Sequence, residues 1–444
     1  MIFEPELETL ERPQLEALQS RRLAELARYC YERQDFYRRK FDEAGIRPDD
    51  VTSLHDLPRL PITRKQDLRD NYPFGLFAVG LDEVTRIHAS SGTTGKPTVV
   101  GYTRADLEVF ARVNARSLAM AGGKPGMVLH NAYGYGLFTG GLGLHYGGEM
   151  LGMAVVPVSG GMTERQILLI TDFEPDVICC TPSYALTLAQ ELADRGIGPE
   201  DQSLRYGLLG AEPWTEAMRS EIDAGLGIKA TNIFGLSEII GPGVSNECIE
   251  TRHGSHVNED HFLAEVVDPD TGDPLGPGEE GVLLFTTLTK QALPLIRYWT
   301  GDIASLDYDP CQCGRTLVRM SPIKGRTDDM LIIRGVNLYP TEVALVLDGF
   351  PELSSHHQLV VTREGTLDVL SIEAEVTGEL FDRVGTELLS EELIDADVLL
   401  RSLRARIAQQ IKETLGVTVE VKLASPGVVP RSEGGKLTRV DDRR

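Results

Sequence analysis

The chain has 444 residues, enough for two or three domains with a buried core, and its 41% hydrophobic and 25% charged residues are ordinary for a globular protein. Its formal net charge of −23 argues against nucleic acid or an anionic membrane surface as the main partner. The opening stretch, MIFEPELETLERPQ, is too acidic and too interrupted by proline for a secretory signal. We therefore expect a cytoplasmic protein whose six cysteines are reduced thiols or metal ligands.

Taken in order, the chain predicts helices, then an α/β region, then a β-rich region. Apolar residues at near-helical spacing predict helices over 1–50. From 85 to about 235, strand-like runs such as VTRIHA, MVLHNA, DVICC and KATNIF alternate with helical runs such as TERQILLITDF. This alternation predicts a mainly parallel sheet covered by helices, with ligands at the carboxyl ends of its strands. From 262, short strands separated by turns predict a β-rich subdomain.

A change in the sequence pattern near residues 324–328 predicts a domain boundary. Beyond it, MLIIRGV, HQLVVT, VLSIEAEV and VTVEVKLA are typical of strands, and helices are predicted over 341–347 and 400–415. Gly416 is the expected left-handed residue at the end of the second helix. The fold class is therefore α/β, with a large N-terminal domain over 1–325 and a small α+β domain over 326–444.

The stretch at 90–103, SSGTTGKPTVVGYT, predicts a nucleotide phosphate loop. Its hydroxyls and uncovered backbone N–H groups around one lysine suit a polyphosphate. It is not a Walker P-loop, because only two residues separate its glycines and proline follows Gly-Lys. The alternative is a flexible surface loop. The candidate residues are Ser90, Ser91, Gly92, Thr93, Thr94, Gly95 and Lys96.

With this loop, five later motifs in order resemble adenylate-forming enzymes, and the phenylacetate-CoA ligase branch in particular. They are YGYGLFTGGLG at 133–143, GAEPWT at 210–215, FGLSEIIGPGV at 234–244, GRTDDMLIIRGVNLYPTE at 325–342 and GGKLTRV at 434–440. The resemblance spans nearly the whole chain. It implies activation of a carboxylic acid with ATP and Mg²⁺ to an acyl-adenylate, followed by transfer to a thiol, with CoA as our preferred acceptor.

Two alternatives of different class stay open beside this interpretation. One is an adenylating enzyme that delivers its acyl group to a carrier protein or an amine without CoA. The other is a non-catalytic nucleotide-binding regulator with the same fold. Joint retention of Lys96, Glu238, Asp302 and Lys436 argues against the regulator. We also expect a homodimer.

The resemblance assigns roles to the nucleotide-site residues. It places Phe234 against adenine, the Ser237 hydroxyl on the α-phosphate and the Glu238 carboxylate on Mg²⁺, which prefers oxygen ligands. Taken alone, GLSE could equally be a helix N-cap. Asp302 matches the ribose-binding aspartate, since a carboxylate accepts both protons of a diol. The remaining nucleotide-binding candidates are Gly210, Ala211, Glu212, Pro213, Gly235 and Arg326.

Two further residues imply a mobile small domain. Asp328 resembles the hinge between domains. Lys436 resembles a lysine that enters the active site only during adenylation and leaves when the small domain rotates for thiol attack. Read in isolation, Lys436 would be a solvated lysine near the chain end.

The acid pocket should come from YGYGLF and IIGPG. These segments offer a flat, apolar slot with two phenolic hydroxyls, which fits an aryl ring better than a long alkyl chain. We therefore expect a small aromatic acid that is phenylacetate-, benzoate- or hydroxyanthranilate-like. Alternatively, the tyrosines are ordinary core residues. The candidate residues are Tyr133, Tyr135, Phe138, Ile240, Gly241 and Pro242.

A separate group of cysteines and histidines predicts a structural zinc site. Cys311 and Cys313 form a C-x-C turn, and Cys248 and His256 complete four S/N ligands for tetrahedral zinc. Some family members have a matching Gly-x-His, so His256 is preferred over His253. Four protein ligands leave no open position for catalysis. The alternative is an accidental cluster of thiols.

Overall fold

The computed structural model describes residues 1–90, 97–334, 336–364, 367–385 and 389–444. Short 3₁₀ turns lie at Pro48–Asp50, Leu54–Arg59 and Pro199–Asp201. The α-helices in these residues are α1 Pro5–Glu8, α2 Arg12–Arg33, α3 Asp35–Glu43, α4 Lys65–Asp70, α5 Arg104–Met120, α6 Gly140–Leu151, α7 Thr163–Phe173, α8 Pro182–Asp194, α9 Glu216–Leu226, α10 Pro340–Leu347, α11 Gly378–Val384, α12 Glu391–Ala396 and α13 Val398–Leu415.

The strands of the larger part of the chain precede those of the C-terminal part. Those up to residue 326 are β1 Arg86–Ala89, β2 Val99–Tyr102, β3 Val128–Asn131, β4 Ala154–Val156, β5 Val177–Cys180, β6 Tyr206–Gly210, β7 Lys229–Leu236, β8 Gly241–Glu247, β9 Ser255–Val257, β10 Phe262–Val267, β11 Gly281–Thr287, β12 Tyr298–Ala304, β13 Leu306–Asp307, β14 Arg319–Met320 and β15 Gly325–Arg326. The others are β16 Leu331–Ile333, β17 Val336–Leu338, β18 Leu353–Glu364, β19 Leu367–Val376, β20 Glu420–Ala424 and β21 Val440–Asp442.

The largest sheet confirms the predicted α/β organisation. Its strand order is β13-β14-β9-β8-β7-β6-β5-β3-β4, and β4, β3, β5, β6 and β7 run parallel. Helices α6 to α9 connect these strands, as parallel pairing requires. Every residue of β5 is buried, which explains its continuous apolar sequence. The antiparallel sheet β10-β11-β12-β15 is the predicted β-rich subdomain.

The prediction for VTRIHA was wrong in one respect. We expected it among the strands of the parallel sheet, but among the described strands β1 pairs with β2 alone, in a separate antiparallel hairpin. The connection between the two strands spans only residues 90–98, which is too short for a parallel crossover. The predicted phosphate loop therefore belongs to the connection between two paired antiparallel strands.

The C-terminal part has its own hydrophobic core. Strands β20-β19-β18-β21 form a sheet against which α10 to α13 pack. One apolar face of α13, formed by Leu400, Leu403, Ile407 and Ile411, is buried, and Gly416 ends that helix with φ +73°. The helices α11 and α12 were not predicted. The main core extends to Ile323 and this second core begins at Leu331, so residues 324–330 connect the two.

No described helix combines the length and the apolar character needed to cross a membrane.

Two adjacent histidines on β18 should make the stability of the C-terminal part sensitive to acid. Burial lowers the pKa of both His356 and His357 to about 3. The Nδ1 atom of His357 lies 3.3 Å from Nη1 of Arg439, whose N–H can donate only to a neutral imidazole. Below pH 6.5 the unfolded chain binds more protons at these sites than the folded one. Stability should therefore fall as the pH drops from 6.5 toward 3.

We expect His357→Gln to reduce this acid sensitivity. The cost per buried histidine approaches about 1.4 kcal/mol for each pH unit below 6.5, and glutamine keeps an acceptor without titrating. Urea midpoints measured between pH 7.5 and 4.5 should fall less steeply for the variant than for the wild type. His55→Gln, at an exposed histidine, is the matched control and should follow the wild-type curve. Identical curves for all three proteins would contradict the assignment.

Candidate functional site

The loops after three neighbouring parallel strands meet at one edge of the large sheet. The segment at 181–183 follows β5, GAEP at 210–213 begins at the last residue of β6, and β7 leads into the turn at 237–240. Ala211 has a left-handed φ of +72°, and Pro213 is exposed. The strands are parallel, so their carboxyl ends gather these segments, as the sequence indicated.

The turn at 237–240, which bears Ser237 and Glu238, is a tight connection between the antiparallel strands β7 and β8, not a helix N-cap. Two glycines make it possible. A Cβ added to Gly235 would lie 1.9 Å from the carbonyl oxygen of Gly241, and Gly241 itself has φ +101°. Any side chain at residue 235 would therefore displace the turn.

Glu238 is a buried carboxylate at this edge, with 8% of the residue exposed. Burial, together with the charge of this carboxylate, raises the pKa of Tyr298. Glu238 has no ion pair with any described residue. Beside it, the Ser237 hydroxyl lies 3.4 Å from that of Thr139. Phe234 is half-buried, with its ring centroid 6.1 Å from that of Phe285.

Asp302 and Arg326, both predicted to contact the nucleotide, contact each other. Asp302 is 4% exposed and accepts a hydrogen bond from Nη1 of Arg326 at 2.6 Å. Burial raises the pKa of Asp302 to about 6, although the guanidinium opposes this shift. Arg326 also donates to Asp328 at 2.9 Å. The ribose candidate and the hinge candidate are therefore linked through one guanidinium.

The loop that carries Lys436 docks on the large domain through its backbone. The Glu212 carboxylate accepts from the Leu437 N–H at 3.0 Å and from the Ser183 N–H at 2.6 Å. A Cβ added to Gly160 would lie 2.5 Å from the carbonyl oxygen of Gly434, so the two chain segments touch. No sequence pattern indicated the bridging role of Glu212, because both of its partners are backbone amides.

In this docked position, Lys436 is influenced by the charges of the predicted nucleotide-site residues. Lys436 is exposed to solvent, yet partial burial lowers its pKa, as does the positive charge of Arg326, while Glu212, Glu238 and Asp302 oppose the shift. The predicted lysine, metal-binding carboxylate and ribose-binding carboxylate therefore converge from both parts of the chain.

Only one residue of the predicted phosphate loop can be placed. The Ser90 N–H donates to the carbonyl of Thr98, and the Ser90 hydroxyl accepts from the Thr98 N–H at 3.1 Å. These bonds close the base of the hairpin. The other candidates, Ser91, Gly92, Thr93, Thr94, Gly95 and Lys96, lie outside the described residues.

The predicted acid-binding residues lie around the same edge but differ in exposure. Tyr133 and Ile240 are buried, whereas Phe138 is half exposed and does not form a closed wall. The Tyr135 hydroxyl accepts from the Asn131 side chain at 2.8 Å and lies 3.2 Å from Nδ1 of His145. Neither polar partner was predicted, although both stand in the glycine-rich stretch at 125–148, which lacks charged residues. Pro242 and Gly241 form the start of β8.

The predicted zinc ligands form one cluster, away from the nucleotide site. The ligand atoms of Cys248, His256, Cys311 and Cys313 all lie within 4.8 Å of one another. The sulfurs of Cys248 and Cys311 are 3.6 Å apart. Tetrahedral zinc with Zn–S bonds of about 2.3 Å requires sulfurs about 3.8 Å apart. Nε2 of His256 lies 3.4 Å from the Cys313 sulfur. His253 is outside the cluster, so the donor set fits zinc with His256.

Known proteins resemble the chain along its whole length. Two family profiles match, AMP-binding enzyme over residues 49–288 and AMP-binding enzyme C-terminal domain over residues 335–444. The chain is 66% identical to the phenylacetate-coenzyme A ligase of Thermus thermophilus, over 100% of both chains. It is 51% identical to the phenylacetate-coenzyme A ligase of Escherichia coli, over 99% of this chain and 97% of the relative.

Solved structures of 2-hydroxyisobutyryl-CoA ligase have the same fold. The postadenylation state in complex with R3-HIB-AMP matches with a TM-score of 0.89 at 28% identity, covering 99% of this chain and 92% of that one. The thioesterification state with 2-HIB-AMP and CoA matches with a TM-score of only 0.72 at 29% identity, covering 99% and 91%. The chain belongs to the AMP-binding enzyme family of adenylate-forming enzymes.

Proposed function

We propose that the protein is an AMP-forming ligase that activates a phenylacetate-like aromatic acid with ATP and transfers the acyl group to CoA. The observation that carries this proposal is the docking of the loop that bears Lys436 onto Glu212, at the sheet edge where β7 leads into the turn of Ser237 and Glu238. The relatives named phenylacetate-coenzyme A ligase, one of them 66% identical over its full length, support the choice of acid and acceptor. The proposed domains are 1–325 and 326–444.

In adenylation a carboxylate oxygen attacks the α-phosphate, and the two anions repel each other. Positive charge aimed at the developing transition state is therefore the main catalytic requirement. We assign this task to the Lys436 ammonium, with the Ser237 hydroxyl donating to the α-phosphate. Lys96 and the backbone of the phosphate loop at 90–96 would hold the β- and γ-phosphates. The bond to pyrophosphate breaks as the acyl–phosphate bond forms.

Glu238 is the residue that would hold Mg²⁺. Its carboxylate is buried, lies beside Ser237 and has no ion pair among the described residues. One carboxylate plus nucleotide oxygens and waters suits magnesium, which would add positive charge at the phosphates when bound.

The nucleoside would lie along the strand ends. Phe234 would pack on adenine, with Gly210, Ala211, Glu212, Pro213 and Gly235 lining its edge. Asp302 would accept from the ribose hydroxyls while paired with Arg326, whose charge favours the ionised form that a diol requires. Asp328 would be the hinge.

After adenylation, the small domain would rotate at residue 328 to admit the thiol. The relative solved in its thioesterification state with CoA supports a second arrangement of this kind. Transfer to a carrier protein or an amine is the alternative. The homodimer stays a prediction, which light scattering on the purified protein would check.

An acid and acceptor panel tests the proposed function. We expect pyrophosphate exchange to be faster with phenylacetate than with decanoate, because the pocket residues Tyr133 and Tyr135 favour a flat ring. Benzoate and 3-hydroxyanthranilate probe ring substitution, and cyclohexylacetate is the matched non-aromatic control. AMP formation should rise on addition of CoA. Faster exchange with fatty acids, or no thioester in the presence of CoA, would contradict the proposal.

A further inference from the structure

Lys290 is a buried lysine to which neither the sequence motifs nor the proposed mechanism gives a role. It lies in the connection between β11 and β12, and only 4% of it is exposed. Its ammonium has no ion pair with any described carboxylate; instead Nζ donates to the carbonyl of Ile239 at 2.7 Å and to that of Glu238 at 3.2 Å. A buried ammonium is costly, so these two contacts must offset its desolvation.

Tyr102 completes the support of the same turn. Its hydroxyl donates to the carbonyl of Ile240 at 2.9 Å, and its ring centroid lies 4.8 Å from the Lys290 ammonium. Within the turn, the N–H groups of Ile239 and Ile240 both bond to the carbonyl of Leu236. The next three carbonyls accept from side chains instead: those of residues 238 and 239 from Lys290, and that of residue 240 from Tyr102.

Lys290 is itself held in place by helix α5. The Asp106 carboxylate, in the first turn of that helix, accepts from the N–H groups of Gln291 at 2.6 Å and Ala292 at 2.9 Å. The same carboxylate accepts from the Thr103 N–H at 2.9 Å. Asp106 therefore holds the backbone next to Lys290 and the backbone next to Tyr102.

Tyr102 is the last residue of β2, the strand that leaves the phosphate loop. The Lys290–Tyr102 pair thus connects two segments that are far apart in sequence, the phosphate-loop hairpin and the turn bearing Ser237 and Glu238. Each of these contacts is buried, so water is excluded from competing for the carbonyls.

We propose that Lys290 is a positioning residue for adenylation, which with Tyr102 fixes the Ser237–Glu238 turn against the phosphate-loop hairpin. This inference rests on the proposed function. Lys290 does not touch the reacting atoms. It acts through the geometry of Ser237 and Glu238, and a displacement of about 1 Å in such groups can cost roughly a hundredfold in rate.

Lys290→Met, which keeps the length of the side chain but removes its donors, tests the proposal. We expect kcat for pyrophosphate exchange to fall roughly 10- to 100-fold and the Mg²⁺ concentration for half-maximal rate to rise, with the KM for the acid little changed. Tyr102→Phe removes one of the three carbonyl contacts and should give the same changes to a smaller degree. Lys229→Met, at an exposed lysine on the far end of β7, is the matched control.

Rates should be compared at temperatures where melting curves show each variant folded. If Lys290→Met does not fold, the Mg²⁺ concentration for half-maximal rate in Tyr102→Phe tests the inference: a rise supports it, and a wild-type value contradicts it. Folded variants with wild-type kcat and Mg²⁺ dependence would overturn the inference, and so would a lowered melting temperature with unchanged kinetics. A wild type without exchange for any acid would contradict the proposed function instead.

Discussion

Lys436→Ala should slow adenylation by roughly a hundredfold or more, while transfer of the acyl group from preformed acyl-adenylate to CoA stays near the wild-type rate. A charge aimed at a transition state in a water-poor site contributes several kcal/mol, and each 1.4 kcal/mol is about tenfold in rate. The lysine has this effect only while its loop is docked. Pyrophosphate exchange measures the first half-reaction, and single-turnover thioester formation from added acyl-adenylate measures the second.

The docked loop explains why the two half-reactions should separate. The Leu437 N–H is held by Glu212, and the carbonyl of Gly435 lies 3.4 Å from the Thr181 hydroxyl. Water can replace the protein partner in each of these hydrogen bonds, so a rotation near residue 328 could release the loop as a unit. Once the loop is released, we expect the charge at residue 436 to have no influence on the transfer step.

Two variants make the Lys436 test specific. Lys436→Arg keeps the charge with a different shape and should retain part of the adenylation rate. Lys412→Ala, at an exposed lysine on α13, removes one charge from the same domain and should leave both half-reactions unchanged. Normal adenylation in Lys436→Ala, or equal loss in both half-reactions, would show that the two-conformation mechanism is wrong for this protein.

The sequence predicted those parts of the fold that depend on local pattern. Strand β5 is buried on both faces and therefore has a continuous apolar sequence, whereas α13 is buried on one face and has apolar residues at helical spacing. Both patterns can be recognised from residue type and spacing alone. The C-x-C turn at 311–313 likewise indicated two of the four residues that the structure brings together in the predicted zinc cluster. Their partner His256 was found only because the resemblance favoured it over His253.

What the sequence could not provide was the set of long-range backbone contacts. Glu212 bonds an amide 225 residues away, and Lys290 bonds carbonyls about 50 residues away. Every residue except proline carries such amides and carbonyls, so no residue type marks the partner. The placement of β1 failed for a related reason, since the residue types of a short strand do not identify the sheet that it joins.

The protein purified without chelator should contain about one zinc ion per chain, and Cys311→Ser should remove it and lower the melting temperature by roughly 5 °C or more. A structural zinc site contributes its binding free energy to folding. In domains of 150–250 residues, each kcal/mol lost from the free energy of unfolding lowers the melting temperature by about 2–4 °C. The cluster joins β9 to the 311–313 turn, and next to that turn Arg315 pairs with the buried Glu8 at 2.6 Å. Loss of the metal should therefore also loosen the N-terminal segment.

Elemental analysis and melting curves check this expectation together. His253→Asn should keep the zinc, and so should Cys180→Ala, at a buried cysteine outside the cluster, whatever its effect on stability. Because four protein ligands leave no open position, zinc-depleted protein that is still folded at low temperature should keep its kcat for pyrophosphate exchange. Metal-free wild-type protein, or a Cys311→Ser variant with an unchanged melting temperature, would leave the four residues as an ordinary cluster of thiols and imidazole.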